Sequence, residues 1–147
     1  MTSDISPTLL IVETTAGDPP VEFLGPSSDI VYFISMAHGE RYGAAHPLAR
    51  AAFVIKRKLR LNMTPLLSYG DARVDNSEEA ALLEKLWQDP APLAAAARAV
   101  ADAIGATEEL RELTVDFPEL PDRLRDLADM ADWAAERGAK VRLTYVL

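Results

Sequence analysis

The chain has 147 residues, 49% of them hydrophobic and 26% charged, with a formal net charge of −8 and no cysteine. That size suits one domain burying about two-thirds of its unfolded surface, and the missing thiols exclude disulfides, cysteine nucleophiles, iron–sulfur clusters and thiolate zinc sites. Residues 1–70 hold six acidic and six basic side chains while residues 71–147 hold seventeen and nine, so the excess negative charge lies in the second half; such a field repels nucleic acid and attracts basic partners.

The first residues, MTSDISPTLLIVETT, lack the basic region and cleavage site of a secretory signal, and no apolar run approaches membrane-spanning length. A cytoplasmic protein is expected. TLLIVET (8–14) reads as a strand ended by the turn Gly17-Asp18-Pro19-Pro20, and VEFLG (21–25) alternates as a second strand that would complete a hairpin. DIVYFIS has a strand-like composition, yet Ile30, Val31, Phe33, Ile34 and Ala37 fall at helical spacing. Ser28 at the N-cap, Asp29 in the first turn and Gly39 at the C-cap assign a helix to 29–38.

Gly39 to Ala45 reads as a connector, and Pro47 opens a second helix, PLARAAFVIKRKLRL, with cations in its final turns. MTPLLSYG (63–70) reads as a strand and DARVDN as a polar loop. Asn76 followed by Glu79 has capping-box spacing for a helix whose apolar face is Leu82, Leu83, Leu86 and Trp87. Asp89-Pro90 ends it, and Pro92 to Gly105 forms another helix. ELTVDF (112–117) alternates like a strand. PDRLRDLADMADWAAERG is an amphipathic helix stopping at Gly138, and KVRLTYVL is a terminal strand. The expected fold is α+β: a single domain over 1–147, a mixed sheet packed with about five helices and ending in a β-α-β unit.

Chemistry-bearing residues are sparse. His38 and His46 lie eight residues apart with no third ligand at a metal spacing. His38 fits a helix end, where the dipole favours a cation, and His46 precedes a helix-starting proline. With Arg41 and Tyr42 they form the alternative site, that of a small enzyme or ligand-binding domain. The KRKLR run (56–60) is explained by dipole compensation in an acidic chain. YGDARVDNSEE gathers Asp71, Asp75, Glu78 and Glu79 in a loop and helix start, but Arg73 falls where a calcium loop needs an oxygen ligand. Asp116 stands near the end of a predicted strand, where ligands of parallel sheets bind. There is no phosphate-binding glycine loop and no GxSxG elbow, so no cofactor and no catalytic residue is assigned.

Four stretches, LLIVET with its Gly-Asp turn, PVEFLGPSSDIVYFI, TPLLSYGDARVDNSEEAALLEKL and the closing FPELPDRLRDLADMADWAAERGAKVRLTYVL, together resemble a family of small acidic bacterial immunity proteins. The chain departs from that pattern in the acidic loop, where Val74 to Asn76 replace an aromatic residue. The resemblance implies a non-enzymatic inhibitor that binds a polymorphic toxin domain, with Asp71, Glu78 and Glu79 as the best-matching positions. The expected partner is a basic toxin domain engaged by Asp71, Asp75, Glu78, Glu79 and Asp116, with Trp87 or Tyr69 as an apolar anchor where exposed. Neither nucleic acid nor membrane is expected as a partner. The chain is expected as a monomer or as a homodimer formed through an apolar face.

Overall fold

The last strand organises the sheet. The structure, a computed structural model, describes residues 9–20, 23, 27–38 and 46–146. Strand β3 (Val141–Val146) lies between β1 (Leu9–Thr14) and β2 (Tyr69–Asp71), antiparallel to the first and parallel to the second. Alternation divides its side chains: Val141 and Leu143 enter the core, whereas Arg142 faces the opposite side. Gly17, at φ 99°, makes the turn after β1 as its sequence predicts. The hairpin expected between β1 and residues 21–25 is not the pairing of β1 with β3, and of those five residues only Phe23 is described.

Helix α1 (Ser28–His38) confirms the helical spacing over the strand-like composition; Ile30, Phe33, Ile34 and Ala37 are buried. Gly39, its expected C-cap, and the rest of the connector to Ala45 lie outside the described residues. Helix α2 (Pro47–Phe53) starts at the proline but does not continue to Leu61 as a regular helix. Val54–Lys58 widens into a π-helical turn, with the Leu59 N–H donating to the Val54 carbonyl at 3.0 Å. The extra residue keeps Val54 and Ile55 buried while Arg57 and Lys58 stay in water.

Two predicted strands are corrected. In MTPLLSYG only Tyr69 onward is strand, as β2; Thr64–Leu67 forms a single helical turn, α3. Asn62 accepts the Thr64 N–H at 3.0 Å, Pro65 needs no donor in the first turn, and Met63, Pro65 and Leu66 are buried. In ELTVDF the chain is helix α6 (Glu108–Leu113) and then a turn. Its alternation marks no buried face, because Val115 is 69% exposed; Thr114 instead donates its hydroxyl to the Leu110 carbonyl at 2.8 Å. The terminal β-α-β unit is therefore absent: β2 and β3 are adjacent parallel strands joined through four helices.

Those four are α4 (Ser77–Glu84), α5 (Pro90–Ala106), α6 and α7 (Leu120–Glu136). Among the described residues the α-helices number seven, against about five expected, because α3 and α6 replace strands. Helices α5 and α7 pack antiparallel, with Arg98 reaching Asp129 and Asp132 while Arg125 reaches Asp102. Both helices carry small buried residues, Ala97 and Ala101 on α5 and Ala131 and Ala134 on α7, which permit close approach of the two axes. Gly138, at φ 64°, closes α7 and turns the chain into β3. No helix among the described residues is long and apolar enough to cross a membrane.

Candidate functional site

Gly70 decides how the acidic segment meets the sheet. It points to the side of β2 away from the core, and a Cβ there would stand 2.9 Å from Leu86 Cδ1 and 3.5 Å from Leu83 Cδ2. Helix α4 therefore closes directly over the bare backbone. Beyond Gly70, the Asp71 carboxylate accepts the Arg73 N–H at 2.8 Å and bends the chain off the strand. Asn76 Oδ1 then accepts the Glu79 N–H at 2.8 Å, the cap expected for α4. Glu79 Oε1 accepts the Asp75 N–H at 3.0 Å, one residue before the reciprocal bond of a standard capping box. Glu78 and Glu79 thus occupy the first turn, where the helix dipole favours anions.

The other end of α4 is held by Arg142. Its Nε and Nη2 engage Glu13 at 3.2 and 2.9 Å, and Nη1 donates to the Leu83 carbonyl at 3.3 Å, near the end of the helix. The guanidinium also lies over the Trp87 ring, 4.4 Å from its centre. Trp87 Nε1 donates to Glu84 at 2.8 Å. Trp87 is therefore committed to the fold, and Tyr69 packs on Tyr145 with ring centres 5.7 Å apart. Neither expected anchor stands free. The large apolar groups in water beside the acids are Val74, 43% exposed, and Leu82, 60% exposed.

Asp71, Asp75, Glu78 and Glu79 come together at the end of the sheet where β2 and β3 finish. Burial, the Asp71 carboxylate and Tyr69, in that order, push the Tyr145 phenol above its ordinary value. Asp116 is exposed in the turn after α6, not at a strand end. Helix α7 runs opposite to β3, so Asp116 and Glu119 lie at that same end of the molecule, but on the helical side of the sheet. There the Asp29 carboxyl is held above its ordinary value, first by burial and then by Glu119, against the pull of Arg123. Arg123 is buried, with Nε 3.1 Å from Asp126 Oδ2. Sequence reasoning, which named no role for the charges of α7, missed this pair; the i,i+3 spacing of Arg123 and Asp126 was its only signal.

Of the alternative site, His46 is described in full. Its Nδ1 accepts the Leu48 N–H at 3.1 Å, capping α2, and its ring lies 6.3 Å from that of Phe117. His38 is the last residue of α1, and Arg41 and Tyr42 lie outside the described residues. Among the described residues no three His, Asp or Glu side chains group to hold a metal ion. Comparison with family models, curated proteins and solved structures finds no match to this chain.

Proposed function

We propose that the chain is a stoichiometric inhibitor of the immunity type, acting in the cytoplasm, whose surface around the start of α4 binds a basic toxin domain. One observation carries the reading: Val74 and Leu82 stand in water among Asp75, Glu78 and the half-buried Asp71, on a loop and helix fixed by their own hydrogen bonds. Exposed apolar groups among carboxylates, which outnumber the exposed cations Arg73 and Lys85 of the same segment, are the composition of a docking surface. Charge steers the encounter and excludes like-charged competitors, and apolar burial slows release. Preorganisation by the Asn76 cap and the Asp71 turn reduces the ordering cost of binding. The same segment carries Asp71, Glu78 and Glu79, the positions that best match the immunity family it resembles. Asp116 belongs to this surface only for a partner that reaches around the end of the sheet.

The test is rescue. The neighbouring reading frames are first searched for a modular protein with a variable C-terminal domain, and such a domain is then expressed with the wild-type chain and with Asp75→Lys/Glu78→Lys. The wild type is expected to restore growth and the charge-reversed form to fail.

A further inference from the structure

The cations of the first half of the chain are segregated in a way the acidic site does not use. Every Lys and Arg before Asp71 falls between Arg41 and Arg60, and residues 41–70 contain no Asp or Glu. In the fold, Arg50, Arg57, Lys58 and Arg60 are exposed along α2 and the π-helical turn, with Phe53 47% and Leu59 38% exposed among them.

An acidic strip lies alongside. Helix α2 packs on α6. Lys58 Nζ reaches Glu109 Oε1 at 3.2 Å, joining the end of the basic strip to the start of α6. The His46 and Phe117 rings join the start of α2 to the segment after α6. The two strips therefore run antiparallel, side by side. Glu108, Glu112 and Asp116 are exposed on the second, with Val115 protruding between them. Arg111, the one cation of α6, is turned back onto the Gly105 carbonyl at 2.7 Å.

We propose that this face is the contact of a two-fold symmetric homodimer, the basic strip of each copy lying on the acidic strip of the other. For two neighbouring strips of opposite sign, a two-fold axis in the plane of the face and parallel to them lays each strip on its opposite, so one surface complements itself. Nucleic acid would meet the α6 carboxylates beside the cations, and a wholly basic partner would meet the cations. A second copy of this chain presents both signs in the required order. The axis brings Arg50 opposite Glu112 and Asp116, and Arg57 opposite Glu108. Phe53, Leu59 and Val115 are the apolar groups that leave water on docking, an aromatic at the centre with a charged rim. The contact leaves Asp75, Glu78 and Leu82 free, so it stands or falls separately from toxin binding.

The experiment is size-exclusion light scattering of the full chain from low micromolar to hundreds of micromolar, at low and high salt. The expected mass rises from one copy to two with concentration, and high salt weakens the dimer about tenfold or more. Arg50→Glu/Arg57→Glu and Glu108→Lys/Glu112→Lys are each expected to be monomeric, and their equimolar mixture to regain the dimer, because a mixed pair holds one native and one swapped set of contacts. A chain monomeric throughout, a dimer indifferent to both variants, or a mixture that stays monomeric overturns the proposal. Should either variant lose its helical circular dichroism, Phe53→Ser decides: it is expected to be monomeric, and a dimer of wild-type strength overturns the proposal.

Discussion

The Arg142 guanidinium stacks on the Trp87 ring, 4.4 Å from its centre, while gripping the Glu13 carboxylate with two nitrogens. One side chain of β3 thereby ties β1 and the segment after α4 to the outer side of the sheet. Its side chain is 15% exposed and that of Glu13 38%, so truncation removes a mostly buried guanidinium and its packing, while Glu13 keeps access to water and the Thr144 hydroxyl at 3.4 Å. Arg142→Ala is expected to cost about 1–3 kcal/mol through the lost charge-assisted hydrogen bonds and packing, measured by urea unfolding. A double-mutant cycle with Trp87→Ala should show coupling of about 1 kcal/mol. Arg142→Lys should recover only part of the loss, because an ammonium cannot make the forked contact.

Gly70→Ala probes the closure of α4 on β2. The added methyl stands 2.9 Å from the end of the Leu86 side chain, a flexible group that can withdraw. The expected cost is about 1 kcal/mol, near the low end for overpacking. Combining it with Leu86→Ala should give a smaller loss than the sum of the two, read from denaturation midpoints. Gly70→Val should cost more than Gly70→Ala.

His46→Ala is expected to lower stability by about 1 kcal/mol through loss of the α2 cap, and His46→Asp to restore most of it, since a carboxylate accepts the same Leu48 N–H. Thermal unfolding of the three proteins checks this. A role for the imidazole beyond capping would show as a functional loss that His46→Asp does not repair.

Asp29 sets a pH dependence with a definite sign. Burial and Glu119 raise its carboxyl above 3.8, so the folded chain holds that proton more tightly than the unfolded chain. Its cost is fully present above the folded value and fades as pH falls toward 3.8, so this group's contribution to stability improves on acidification. Asp29→Asn is expected to be more stable than the wild type at neutral pH, the gap closing as pH falls through that window. Unfolding midpoints of both proteins at several pH values measure it.

Helices announced themselves wherever caps and periodicity agreed. Pro47, Asn76 with Glu79, and Gly138 each sit where the structure uses them. Two short runs were misread as strands. Leu113, Val115 and Phe117 alternate without sharing a buried face, and TPLL coils around buried Leu66 because the local Asn62 and Pro65 signals favour one turn. Short apolar runs have no intrinsic period long enough to overrule such contacts. Of the candidate site, the caps and the acids were legible residue by residue. The commitment of Trp87 and Tyr69 to the fold was not, because it depends on Arg142 and Tyr145, which are distant in the chain. The exposure of Val74 and Leu82 likewise needed the position of α4.

The most direct test of the central reading is a calorimetric titration of a variable C-terminal toxin domain found in the neighbouring reading frames with the wild-type chain, with Asp75→Lys/Glu78→Lys and with Leu82→Ala. A one-to-one complex is expected, weakened about a hundredfold by the charge reversal and about tenfold by the loss of the leucine, with helical circular dichroism unchanged. No binding by the wild type, or equal binding by the folded charge-reversed chain, would contradict the account.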